Sequence, residues 1–313
     1  MTVTPAATPQ VSDRKKRRLS MGRREALFFY LFISPWIIGF IVFQIGPILA
    51  SLYFSFSSYA IIDTPQWIGA RNYVRAFTQD RLFWTSLWNT FYYVGLGVPL
   101  NVVFAFLLAV LLNAEIRGRI FYRVAYYIPS IIPGVAGAVL WIILLNPRLG
   151  LINMALGLFG IQGPNWLSDP NWSKPAFVLM SLWGVGGAMI IYLAGLQGIP
   201  EELYEAADID GASTVSKFLN ITVPLMSPII FYNVVTQIIG SFQVFGSAFI
   251  MTGGGPLNST RFYMLHLYDF AFALFRMGYA SALAWVLLVI IVAFTLLVFR
   301  GSSAWVFYSG GRQ

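Results

Sequence analysis

Six long apolar stretches, separated by loops rich in polar, glycine and proline positions, organise this chain of 313 residues. They run from about Leu27 to Phe56, Phe91 to Leu112, Val124 to Leu145, Pro175 to Leu196, Ile229 to Met251 and Tyr279 to Phe299. A bilayer core of roughly 30 Å needs about 20 apolar helical residues, and each stretch reaches that length. Lipid offers no partner to backbone N–H and C=O groups, so spans must be helices or a closed barrel. Unbroken runs, as opposed to ten-residue alternation, select helices. The pattern predicts an all-α integral membrane protein with six transmembrane helices. A further apolar segment, Phe262 to Phe275, is interrupted by His266 and Asp269 and bounded by Arg261 and Arg276. It is too short to cross and reads as a helix lying in the interface, with His266 exposed and unpartnered.

Composition agrees: 58% of residues are hydrophobic, only 10% are charged, and the mean hydropathy is +0.71. Absence of cysteine excludes disulfides, thiolate catalysis and cysteine-held iron–sulfur clusters. The net charge of +8 changes the picture only through its placement. Arg14, Lys15, Lys16, Arg17, Arg18, Arg23 and Arg24 precede the first apolar run, where basic residues fix topology on the cytoplasmic side. With six spans both termini share one side. That side also holds Arg117, Arg119, Arg123, Lys217, Arg300 and Arg312, against Arg71, Arg75, Arg81, Arg148, Lys174, Arg261 and Arg276 opposite. Both termini are therefore expected in the cytoplasm. The run from Leu27 is about twice a signal-peptide core and no small-residue cleavage site closes it, so the first span is expected to be retained. The resulting organisation is a basic tail over 1–26, a membrane domain over 27–299 and a cytoplasmic tail over 300–313.

One inner loop breaks the basic bias. Between Gln197 and Pro224 stand Glu201, Glu202, Glu205, Asp208 and Asp210 against Lys217 alone. Pro200 followed by two carboxylates is a helix start, Gly211 a stop, and Ser213 or Thr214 a cap for a second short helix with an apolar stripe of Val215, Phe218, Leu219 and Ile221. Pro224 is expected to end it. Ala206 and Ala207 permit close approach by a partner, and Glu205 is free to pair with a basic group.

Glu205-Ala206-Ala207, Asp210-Gly211-Ala212, Ile221 and Pro224 resemble, at matching spacing, the EAA coupling-loop signature of permease subunits of ATP-binding-cassette (ABC) importers. Thr252-Gly253-Gly254-Gly255-Pro256, Trp67-Ile68-Gly69-Ala70-Arg71-Asn72-Tyr73 and Ile128-Pro129 extend the resemblance from about Leu27 to Phe299. The similarity is to the carbohydrate-uptake branch, of maltose and glycerol-phosphate type, and within it to the larger, maltose-permease-like partner of a pair. It implies an importer-type permease fold in a bacterial or archaeal cytoplasmic membrane, with Glu205, Ala206, Ala207, Asp210, Gly211 and Pro224 docking on an ATPase. It also implies a second homologous permease, two cytoplasmic ATPase subunits, an external solute-binding protein and a sugar or sugar-like solute.

No cofactor is expected in this chain. The nearest approach to a phosphate-binding loop, Gly211-Ala212-Ser213-Thr214-Val215-Ser216-Lys217-Phe218, has Ser216 for the second glycine and Phe218 for the final hydroxyl residue. ATP and Mg are therefore expected on the partner ATPase, and the chain is not expected to be an enzyme. Metal ligands are not expected either.

A neutral sugar needs amides, hydroxyls and aromatic faces and no intramembrane charge; the spans as placed carry none. Asn233, Gln237 and Ser241, four apart, share one helical face. By the same resemblance Gln237, Ser241, Trp183, Gly184 and Gly187 occupy substrate-path positions, although helix–helix packing explains small and polar residues equally well. An ion-coupled secondary transporter would need inverted repeats and buried ion ligands, and a membrane sugar transferase paired carboxylates or a metal motif. Neither pattern is present.

Overall fold

The computed structural model describes residues 21–307, with Arg23 and Arg24 as backbone only. Arg14, Lys15, Lys16, Arg17 and Arg18 of the basic tail and Arg312 lie outside the described residues. The chain divides into two units, residues 1–51 and 52–313. The first holds α1 (Met21–Phe40), a π-helical turn (Ile41–Ile45) and most of α2 (Gly46–Ser55). The turn sits just before Pro47, whose missing N–H and bulky ring a normal α-turn would not accommodate.

The second unit opens with a two-stranded hairpin, β1 (Ser57–Ser58) against β2 (Gln66–Trp67), then α3 (Arg71–Thr78) and the 33-residue α4 (Arg81–Asn113). There follow α5 (Arg119–Ile131), α6 (Gly134–Leu144), α7 (Leu151–Leu158), α8 (Pro170–Trp183), α9 (Gly186–Leu196) and α10 (Glu201–Ile209). Next, α11 (Thr214–Lys217) runs through a second π turn (Phe218–Thr222) into α12 (Val223–Phe242). The chain continues with α13 (Gly246–Met251), α14 (Tyr263–Tyr268) with a third π turn (Asp269–Ala273), and α15 (Met277–Ser302).

Four helical stretches are long and apolar enough to cross a membrane: Glu25–Ser55, Arg81–Asn113, Thr214–Met251 and Met277–Ser302. The number rises to six if each of two bent pairs is one span. The expected run Val124 to Leu145 is broken: α5 and α6 meet at 104°, because Pro133 forces Ile132 into extended backbone (φ −65, ψ 128). The expected run Pro175 to Leu196 bends by 45° at Gly184 and Val185.

Helix α4 is the spine. Asn89 meets Lys174, Asn101 meets Ser181 and Phe106 packs on Tyr192, so α4 and α8–α9 run parallel. Met226, at the start of α12, packs with Leu112 and Leu196, whereas Phe242, at its finish, packs with Phe83, so α12 runs antiparallel to α4. Within lipid such packing rests on close fit and interhelical hydrogen bonds more than on expulsion of water. Asn101 Nδ2 to Ser181 Oγ (2.8 Å) is one such bond. At Gly186 a Cβ would stand 2.3 Å from the Tyr126 carbonyl oxygen, so α9 and α5 touch backbone to backbone.

One end of the bundle is tied at a single carboxylate. Asp80 caps α4 by accepting from the Leu82 and Phe83 amides (3.0 and 3.1 Å), and its other oxygen accepts from Tyr279 Oη (2.7 Å) and meets His266 Nε2 (2.9 Å). The starts of α4 and α15 and the middle of α14 thus converge on one group. This corrects the reading of His266 as exposed and unpartnered: it is 1% exposed and paired, and α14 packs into the fold through Tyr263, Leu265 and His266. Asp269 is paired with Arg261.

Candidate coupling surface and translocation path

At the opposite end lies the acidic loop. Helix α10 follows Pro200 and carries Glu201 and Glu202 in its first turn, where carboxylates complement the free amides. Gly211, at φ +74, stops it: the Gly211 amide donates to the Asp208 carbonyl (3.0 Å) and the Ala212 amide to the Ala207 carbonyl (2.9 Å). That reversal requires the left-handed conformation glycine tolerates. Ser213 Oγ then caps α11 by accepting from the Ser216 amide (3.2 Å).

Two contacts fix the hairpin. Lys217 Nζ donates to Asp208 (2.7 Å), and the Tyr204 and Thr222 hydroxyls share a hydrogen bond (2.9 Å). Glu205, Ala206, Asp210 and Gly211 are exposed, Ala207 is half-buried, and Glu205 has no ion pair among the described residues. Around them Ile209 is 88% exposed and Val215 66%. The expected apolar stripe divides, with Phe218 turning inward onto Phe106 while Val215 and Leu219 face outward.

Pro224 does not end the second helix. It lies in the first turn of α12, and the π turn ahead of it absorbs the donor it lacks. The helix is therefore continuous from the loop into the span.

Two cavities lie between the spans. The first, about 380 Å³, is lined by Tyr93, Ala188, Ile191, Asn233, Thr236, Gln237, Gly240, Ser241 and Val244. The second, about 170 Å³, is lined by Tyr93, Ser181, Trp183, Gly184 and Ser247 among others. Tyr93 of α4 borders both. Of the residues expected on the path, Asn233, Gln237 and Ser241 meet in the first cavity and Trp183 and Gly184 in the second; Gly187 lines neither. Nothing lies within 4 Å of a Cβ built at Gly187, so close packing does not account for that glycine. Asn233 is 2% exposed and its amide donates back to the Ile229 carbonyl (3.0 Å), which makes it wall more than ligand-facing group.

Sequence reasoning missed Tyr93, Ser181, Thr236 and Ser247. Ser181 is a junction: it accepts from Asn101, donates to the Val178 carbonyl (2.6 Å) and lines the second cavity together with Tyr93. Neither cavity is lined by an Asp, Glu, Lys or Arg. Both linings set hydroxyl and aromatic side chains among aliphatic ones, and the first adds the Asn233 and Gln237 amides, a combination compatible with an uncharged polyhydroxylated solute.

Residues 81–302 match the family described as binding-protein-dependent transport system inner membrane component. The chain belongs to that family. It is a permease of an ABC importer and not an enzyme. It is 45% identical over 306 residues to the probable ABC transporter permease protein YesP of Bacillus subtilis, covering 96% of this chain and 98% of that one. To the trehalose/maltose transport system permease protein MalF of Thermococcus litoralis it is 32% identical over 279 residues, covering 88% and 94%. In three dimensions it is similar to a chain of a bacterial alginate ABC transporter solved in complex with an alginate pentasaccharide-bound periplasmic protein. The TM-score is 0.79 at 25% identity, with 90% of this chain and 96% of that chain covered. The permease is accordingly an integral protein of the inner membrane.

Proposed function

We propose that this permease carries a sugar or sugar-like solute, delivered by an external binding protein, through the cavities around Tyr93. The observation that carries the reading is the charge-free lining, in which hydroxyls, aromatic rings and, in the first cavity, amides stand among aliphatic side chains. It is supported by what the relatives are named for: trehalose and maltose in one, alginate in the other. Each bent pair, α5–α6 and α8–α9, counts as one span. With six spans the termini and the 197–224 loop face the cytoplasm and the Asp80 end faces outward.

A second homologous permease completes the pathway. Two ATPase subunits bind ATP and Mg and receive Glu205, Ala206, Ala207, Asp210 and Gly211, with Pro224 at the root of the helix behind them. The exposed Glu205 pairs with an ATPase arginine, and ATPase closure moves the fixed hairpin as a unit. The test is co-purification of the assembled transporter followed by ATPase assays across a sugar panel in the presence of the binding protein. Stimulation by one saccharide is expected; indifference to every sugar would remove the substrate reading. Glu205→Ala and Gly211→Asp are expected to uncouple ATP hydrolysis from uptake, and wild-type uptake and assembly in both would remove the coupling assignment.

A further inference from the structure

A third cavity, about 550 Å³, lies at the Asp80 end, away from the path. Its walls are the β1–β2 hairpin, α3 and the start of α15, and they are built to hold shape. Asn72 of α3 donates to the Ser55 and Ser57 carbonyls (2.9 Å each), pinning the hairpin. The Gly278 amide donates to the Tyr59 carbonyl (3.0 Å), and a Cβ at Gly278 would come within 2.1 Å of the Ser57 carbonyl oxygen. Glycine there seats the start of α15 directly on the hairpin.

Two guanidinium groups, Arg75 and Arg276, line the cleft. Neither has an ion pair among the described residues. Arg75 is held over the Tyr279 ring (4.6 Å to the centroid) and beside Phe270 (5.6 Å), and Tyr279 is itself fixed by its bond to Asp80. Its orientation is set before any ligand arrives, and its guanidinium N–H groups meet no acceptor among the described residues. Opposite stand Gln66, Thr64 and the exposed carboxylate of Asp63, which suit hydroxyl groups. A planar fork of N–H donors matches a carboxylate or phosphate, and the volume falls within the range of small-ligand sites.

We propose that this cleft binds an oxyanion carried on a hydroxyl-rich group, either the carboxylate of an acidic saccharide or the phosphoglycerol headgroup of an anionic lipid. The test uses the assembled transporter in nanodiscs of neutral phosphatidylcholine, titrated with cellotriose and with its C6-carboxylated form. The carboxylated trisaccharide binds on the order of tenfold more tightly, a preference that weakens with salt. Arg276→Gln, at an exposed side chain, reduces the preference. Arg75→Gln with Arg276→Gln abolishes it and leaves cellotriose affinity unchanged.

A second arm uses nanodiscs containing phosphatidylglycerol, with retained lipid measured by mass spectrometry after delipidation. Retention by the wild type and loss in Arg276→Gln and the double variant identify the headgroup as the source. The saccharide arm rests on the sugar reading above. If neither trisaccharide binds, the sugar reading is left to the panel above and the lipid arm alone decides the cleft. No carboxylate preference together with no difference in retained phosphatidylglycerol overturns the assignment.

Discussion

Asp80→Ala is the most informative single perturbation of this fold. The carboxylate is 10% exposed and serves four partners: two amides of the first turn of α4, the Tyr279 hydroxyl and His266. Loss of the cap costs about 0.5–2 kcal/mol. A buried Tyr279 O–H and a His266 N–H left without acceptors cost about 1–3 kcal/mol each. The sum is about 2.5–8 kcal/mol, toward the lower figure where water enters the vacated site. At about 2–4 °C per kcal/mol for a chain of this size, thermal unfolding of the purified transporter in nanodiscs should fall by roughly 10 °C.

The partition is checked by a double-mutant cycle. Once Asp80 is gone, Tyr279→Phe removes a donor that no longer has an acceptor, so the two changes must be sub-additive, with a coupling of about 0.5–3 kcal/mol. Asp80→Asn keeps an oxygen for the cap and should lie between wild type and Asp80→Ala. A change under about 2 °C for Asp80→Ala, or strict additivity with Tyr279→Phe, would refute the claim that this carboxylate ties the three helices together.

The same site sets a pH dependence. Burial lowers the His266 pKa, only partly offset by the attraction and hydrogen bond of Asp80, so the 2.9 Å contact joins a neutral imidazole, donating through Nε2, to a carboxylate. Burial raises the Asp80 pKa, yet the hydrogen bonds from Tyr279, His266 and the Phe83 amide, with the attraction of His266 once acid has protonated it, hold it below its ordinary value. Both folded-state pKa values lie below the unfolded ones, so the unfolded chain binds more protons and stability falls on acidification. For His266 the loss begins below the ordinary histidine value of about 6.5, with a slope of at most about 1.4 kcal/mol per pH unit, and His266→Gln should flatten melting temperature against pH between 7 and 5. A second expectation separates two adjacent glycines. Gly186→Ala drives a Cβ into the Tyr126 backbone and should cost about 1–3 kcal/mol, whereas Gly187→Ala meets nothing within 4 Å and should leave the melting temperature unchanged or slightly raised.

Much of this architecture was legible because it is periodic or local. The apolar runs located the four long apolar helices and both bent pairs, and Pro200, Gly211 and Ser213 marked the hairpin by chemistry confined to a few neighbouring residues. What escaped was non-local or hidden in a proline. Asp80 and His266 are 186 residues apart, so His266 looked alone. Tyr93 sits in an apolar run where a tyrosine reads as belt or packing, and only the meeting of α4 with Ser181 of α8 and Gln237 of α12 makes it a wall of both cavities. Pro133 and Pro224 are the same residue type with opposite outcomes. One bends the chain by 104°; the other rides on a π turn and bends nothing enough to end the helix.

That second outcome bears on how the two ends of the permease communicate. With Pro224 as a stop, the loop would hang from the span by a joint, and motion of the hairpin would dissipate there. The observed helix runs from Thr214 into the residues that line the first cavity, about 30 Å between Ser216 and Gln237 at 1.5 Å per residue. The Tyr204–Thr222 bond clamps α10 onto this same helix, so a push on α10 acts on a lever whose far arm carries Gln237 and Ser241. The π turn at Phe218–Thr222 is the place along the lever where backbone hydrogen bonds are already widened, and the clamp is fastened on its last residue. Tyr204→Phe should therefore leave the hairpin folded but loosen its grip on α12, lowering uptake per ATP hydrolysed more than it lowers ATP hydrolysis.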